Sequence, residues 1–278
     1  MLTIHATPDA MRYRTMTTAE LRAGFLLEDL FADGQVVLTS IVDLDRAVVG
    51  SAVPKDAALE LPTPEELRCE YFCERRELGV LNIGGSGRVT VDGKSFELAP
   101  LDALYVGRGS QEVGFASDSA ADPARFYLLS FPAHTAYPVT LVKRADANPV
   151  ALGSDAEANR RTIYQYIHER GAKSCQLVMG WTELAPGSVW NTMPPHTHLR
   201  RCEVYMYFGM SEEHRVLHLM GEPQETRPVW VKNGDAVLSP PWSIHCGCGT
   251  GCYSFCWGMG GENQRFDDMD GAPIPTLR

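Results

Sequence analysis

His196-Thr197-His198-Leu199-Arg200-Arg201-Cys202-Glu203-Val204-Tyr205-Met206-Tyr207-Phe208 is the stretch on which the reading of this chain turns. In extended backbone, side chains two apart point to the same side, so the His196 and His198 imidazoles can face one ion. Glu203 follows after four residues, and Tyr205 and Tyr207 share its strand parity. A further histidine, His245, comes after the turn-forming pair Asn233-Gly234. Three neutral imidazoles and one carboxylate suit a borderline divalent cation: zinc, with manganese, iron, cobalt or nickel as options. A lone histidine is usually an ordinary core or surface group, but four candidate ligands at this spacing point to a metal.

Working outward, the chain reads mainly as short β-branched or aromatic runs separated by Gly, Pro and Asp. These are Gln35–Val42, Arg46–Ala52, Leu78–Ile83, Arg88–Val91 and Arg125–Phe131, then Cys175–Leu184, Val204–Phe208, Val216–Met220, Val229–Val231, Ala236–Leu238 and Tyr253–Met259. Asp92-Gly93 is a tight-hairpin pair, and Asn233-Gly234 is a second hairpin-type turn. One helix is expected early, because Thr17 and Glu20 have capping-box spacing ahead of Leu21, Phe25 and Leu30. Many short strands with frequent turns predict a mainly β sandwich or barrel with a few short helices.

A Pro- and Ala-rich stretch over 132–159 reads as a connection between halves, and the halves resemble each other. Arg75-Arg76-Glu77-Leu78 matches Arg201-Cys202-Glu203-Val204, and Asp102-Ala103-Leu104 matches Asp235-Ala236-Val237. The expected division is 1–135 and 136–278. In the first half Glu70, Phe72 and Glu112 stand where the second has His196, His198 and His245. Glu77 alone matches a ligand, so the first half is expected to lack a metal.

The 278 residues are 44% hydrophobic and carry a net charge of −10, which disfavours a general nucleic-acid or acidic-membrane surface. No apolar run approaches the roughly 20 residues of a membrane span, and the first fifteen residues have no secretory pattern, so a cytoplasmic protein is expected. Its eight cysteines are then thiols. Cys246, Cys248, Cys252 and Cys256 lack paired Cys-x2-Cys spacing, and Cys252 and Cys256 read as small packed strand residues rather than zinc ligands.

The ligand spacing resembles the two motifs of the cupin superfamily. His196, His198 and Glu203 follow the first motif, and Gly234, Pro240 and His245 follow the second. Trp242 replaces the second motif's internal glycine, Gly249 its final asparagine, and Gly209 comes one residue early. Longer runs are similar to the 5-keto-4-deoxyuronate isomerases: Arg75 through Gly85, Trp190 through His198, Gly221 through Arg227, Trp242 through His245, and Gly261 through Asp270. Leu199 and Cys202 are local departures that spare every ligand. The resemblance implies a bicupin of two jelly-roll β-barrels, one bound divalent ion per subunit (zinc, with manganese or iron possible), and a homo-oligomer, typically a hexamer. It also implies a ketol-isomerase acting on a small keto-deoxyuronate from pectin or polyuronide breakdown.

An aldose–ketose shift needs a proton carrier, for which Tyr205 and Tyr207 are candidates, and a cation for the substrate carboxylate, for which Arg161, Lys173 and Arg200 are eligible. Gln176, Trp181 and Glu183 precede the motif and are candidate pocket residues. Two rival readings are an Fe(II)-dependent cupin dioxygenase and a uronate-binding cupin without catalysis. The sequence offers no DNA-binding helix pair for the second.

Overall fold

The computed structural model describes residues 2–262 and 268–278, so part of the Gly261–Asp270 run lies outside the described residues. The described chain is mainly β with one short α-helix and a few 3-10 turns. No helix among the described residues is long and apolar enough to cross a membrane. Two compact units are present. One comprises the N-terminal strand, Leu30–Ala147 and Tyr166–Met179; the other comprises Ala6–Asp29, Asn148–Gln165 and Gly180–Arg278.

In the first unit a seven-stranded sheet has Arg76–Asn82 between Phe126–Pro132 and Ala103–Val106. A four-stranded sheet contains Gly87–Val91 and Val113–Ser117. Leu78, Val80, Leu104 and Leu128 of the larger sheet share one apolar core with Val89, Val91, Val113 and Phe115 of the smaller. The burial patterns follow from position. Arg76–Asn82 is buried at every residue, whereas Gly87–Val91 alternates, as a strand with one solvated face does. The Asp92-Gly93 expectation holds: Val91 pairs with Lys94, and both turn residues have positive φ, 48° and 80°, as a two-residue primed hairpin turn requires.

The second unit repeats the arrangement. Arg201–Phe208 lies between Ser254–Gly261 and Ala236–Ser239 in a seven-stranded sheet, and Ile244–Gly249 and Val216–Glu222 belong to a four-stranded one. Thr17 and Glu20 form the expected capping box, and the helix runs Thr18–Phe25 with Leu21 and Phe25 buried. It stops before Leu30, because the chain turns extended at Leu26 to pair with Val237.

Three expectations change. Asn233-Gly234 is a turn, with Gly234 at φ 89°, but the strands it joins belong to different sheets, so it is not a hairpin. The stretch 132–159 contains the strands Thr140–Val142 and Asn148–Leu152; edge pairing with neighbours overrides its poor strand composition. Cys252 is exposed in the loop before Ser254–Gly261 rather than packed in a strand, while Cys256 is buried as expected and Cys246 is buried too.

Candidate metal centre and cavity

The four sequence-predicted donors meet in the second unit. His196 stands on the short strand His196–Thr197, held by pairing with Asp270–Gly271. Glu203 projects from the central strand, fixed between Met259 and Ser239. His245 comes from the other sheet, opposite Met220. One ligand atom from each of the four residues lies within 4.8 Å of the others. His196 Nε2 is 3.0 Å from His198 Nε2 and 3.2 Å from His245 Nε2, and Glu203 Oε2 is 3.1 Å from His198 Nε2 and 2.8 Å from His245 Nε2.

Four potential metal-donor atoms converge this closely, three of them on almost fully buried residues, a polar cluster that a cation between them would satisfy. Burial, with the neighbouring His245 adding to it, pulls the His196 imidazole down to about 3, so it stays neutral and its lone pair remains available. Burial pushes the Glu203 carboxyl up, yet His245 and His198 together carry it well below its ordinary range. Neutral imidazoles and an ionised carboxylate are the donor set a divalent cation takes. The group can therefore hold a metal. Behind it, His198 Nδ1 is 3.5 Å from Asp268 Oδ1, and Asp268 is ion-paired with the buried Arg201. A carboxylate behind a ligating histidine orients its ring and selects its tautomer.

The departure at Trp242 has a packing reason. Its ring lies 4.8 Å from that of Tyr13 and 6.1 Å from that of Phe25. Tyr13 donates to the Glu225 carbonyl and accepts from the Glu222 amide. The N-terminal segment is thus fastened to the smaller sheet, with the indole filling space that glycine would leave.

A cavity of about 360 Å³ reaches His196, His198 and Glu203 and is also lined by Arg161, Thr192 and Tyr205. Among the described residues Arg161 has no carboxylate partner; its Nη1 donates to the Asn159 carbonyl, and burial lowers its pKa. Lys173 and Arg200 are exposed and do not line this cavity, and Arg200 is paired with Glu262 at 2.9 Å. The two tyrosines separate. Tyr205 lines the cavity with its hydroxyl 2.9 Å from Thr192 Oγ1, while Tyr207 bonds His218 Nδ1 at 2.7 Å away from the lining. Burial raises both phenols, so both are neutral.

Of the three residues read ahead of the motif, Trp181 stacks on Tyr164, Glu183 is exposed, and Gln176 donates to the Pro132 carbonyl. Thr182, of opposite parity, faces the cavity instead. Thr192, His218 and Asp268 escaped sequence reading. Thr192 carries the one signal visible in the backbone: it sits at φ 46°, a left-handed conformation that a β-branched residue rarely adopts.

A family model described as the KduI/IolB family matches residues 26–273. The chain belongs to this family. Curated relatives agree over nearly full length. A protein of Kineococcus radiotolerans named 4-deoxy-L-threo-5-hexosulose-uronate ketol-isomerase is 56% identical, covering 95% of each chain. One of Shouchella clausii with the same name is 52% identical, covering 96% of each. Among solved structures, an IolB-like protein from Salmonella typhimurium LT2 superposes with a TM-score of 0.69, covering 90% of this chain and 97% of that one. At 13% identity that likeness speaks for the fold alone.

Proposed function

We propose that this chain is a ketol-isomerase converting 5-dehydro-4-deoxy-D-glucuronate into 3-deoxy-D-glycero-2,5-hexodiulosonate in the breakdown of pectin and related polyuronides. The observation that carries the reading is one cavity whose lining brings His196, His198 and Glu203 of the His3Glu cluster together with an Arg161 guanidinium that has no acidic partner among the described residues. The names of the relatives point the same way, and they leave the dioxygenase and non-catalytic readings without support.

His196, His198, Glu203 and His245 would hold the ion. When bound, a divalent cation supplies Lewis-acid polarisation of a carbonyl and stabilises negative charge developing on oxygen. The reaction breaks the C2–H bond and forms a new C–H bond at C1, while the hydroxyl proton of O2 ends on O1. Arg161 is suited to the substrate carboxylate, because a planar guanidinium binds it through two parallel hydrogen bonds. Tyr205, neutral and hydrogen-bonded to Thr192, can donate to one substrate oxygen while accepting from another, which is what moving the hydroxyl proton requires. Tyr207, the second candidate, acts on this reading through its neighbours, since its hydroxyl is engaged with His218.

The same proposal takes zinc as the ion, with manganese or iron as alternatives, one per subunit. It takes the site to lie wholly in the half 136–278, which the positions of all four donors support, and 1–135 to be the metal-free half. It takes a homo-oligomer of six subunits and a cytoplasmic location. The eight free cysteines support a reducing compartment. The test is to incubate the purified protein with the unsaturated-uronate product of a pectin lyase, opened to its aldehyde form, and follow loss of the C1 aldehyde as the hydroxymethyl ketone forms. Metal analysis and light scattering on the same sample check ion and assembly. Binding without turnover would reject the enzyme.

A further inference from the structure

The unit that carries none of the four donors has a charged pocket of its own, about 300 Å³ in volume, lined by Arg46, Arg75 and Arg76 together with Cys69 and Phe72. Arg76 is only 8% exposed. Its Nε donates to Ser130 Oγ at 3.1 Å, and its Nη2 to the carbonyls of Arg46 and Ser130 at 2.6 and 2.9 Å. Its Nη1 makes no hydrogen bond among the described residues. Among the described residues neither Arg46 nor Arg76 forms an ion pair. Arg75 meets Glu74 at 3.2 Å, but the other oxygen of that carboxylate is already taken by the Glu70 amide. Arg46 is held at φ 52°, a left-handed conformation, with its carbonyl fixed by Arg76.

A guanidinium taken out of water without a counter-charge is costly, and a second one beside it adds repulsion. Burial, with Arg46 contributing, pulls Arg76 down to about 10. Backbone carbonyls satisfy part of Arg76's hydrogen bonding but bring no negative charge. What the pocket lacks is an anion with several acceptor oxygens, for which forked guanidinium donors are suited.

We propose that this pocket binds a small oxyanion, a carboxylate or phosphate group, between Arg46, Arg75 and Arg76. The test titrates the metal-loaded, full-length protein with inorganic phosphate and, separately, with D-glucuronate, by calorimetry. Arg46→Gln and Arg75→Gln change exposed side chains, so both variants keep the fold. Arg161→Gln removes the cation of the other cavity, and only a site that survives it is scored. The expected result is saturable binding that each of the first two variants weakens roughly tenfold, that added salt weakens, and that Arg161→Gln leaves unchanged. A phosphate response alone assigns free phosphate; a response to both assigns any small oxyanion, the sugar-acid carboxylate included. The proposal falls if neither anion saturates, or if binding survives in Arg46→Gln and Arg75→Gln. It falls too if Arg46→Gln disperses an oligomer while neither anion binds, since the counter-charge then belongs to another copy of the chain.

Discussion

The Thr192 hydroxyl lies 2.9 Å from that of Tyr205, inside the cavity lined by His196, His198 and Glu203. Burial keeps the phenol neutral, with Glu203 reinforcing the effect; on the proposed function Tyr205 would pass a proton and Thr192 would set the direction of its O–H. Tyr205→Phe should lower kcat by about a hundredfold, the scale of a lost proton-transfer group, with metal content unchanged. Thr192→Val keeps the shape and loses the hydroxyl, and should lower kcat with a displaced pH profile; Thr192→Ser should restore both. Steady-state kinetics across pH check this, and wild-type turnover by Thr192→Val would remove Thr192 from the mechanism.

The ligand assignment makes a separate prediction. His196→Ala or His245→Ala should lose bound metal and isomerase activity together, because each takes one of four donors from a buried cluster. Elemental analysis after dialysis reads the metal. Full occupancy in both variants would displace the cluster from its role.

Arg161 should act on binding more than on chemistry. Arg161→Gln is expected to raise KM by roughly tenfold or more, the scale of a lost charge-assisted hydrogen bond, with a smaller change in kcat. Lys173→Gln and Arg200→Gln should leave both constants near wild type, since neither residue lines the cavity. Initial-rate measurements with the keto-deoxyuronate distinguish the three.

Acid should destabilise the metal-depleted protein. Burial holds both His196 and His218 at about 3 in the folded state, well below an ordinary imidazole. Between about pH 6.5 and 3 the unfolded chain therefore binds more protons than the folded one. The stability tied to neutral histidines is complete above pH 6.5 and drains away as pH falls towards 3. Asp235 opposes this: burial raises it to about 6, so its contribution is complete below about pH 3.9 and lost as pH rises through 6. The two histidines lie farther from their ordinary values, so the melting temperature should drop between pH 7 and 4. His218→Gln should flatten that slope; an unchanged slope would contradict the assignment.

Much of the site was legible before folding. His196 and His198 stand two apart, Glu203 follows at a fixed interval, and His245 comes after a turn; a period of two tells which side chains share a face, whatever the rest of the chain does. The Thr17–Glu20 cap and the Asp92-Gly93 hairpin are equally local. Failures came where long-range packing decides. Asn233-Gly234 reads as a hairpin because turn chemistry does not record that the two strands enter different sheets. Trp181 and Glu183 read as candidate lining residues and Thr182 does not, because parity on Val178–Leu184 cannot be phased without knowing which face Tyr164 covers.

The sequence by itself determined the β character, the donor types and their spacing, and the absence of matching histidines from the first half, all properties of neighbours along the chain. Only the tertiary structure decided that Arg161 rather than Lys173 or Arg200 reaches the cavity, that Tyr205 rather than Tyr207 lines it, and that Thr192 meets that phenol. Those residues stand on separate segments, and strand order and sheet facing, which depend on burying one apolar core with every backbone group paired, bring them within reach.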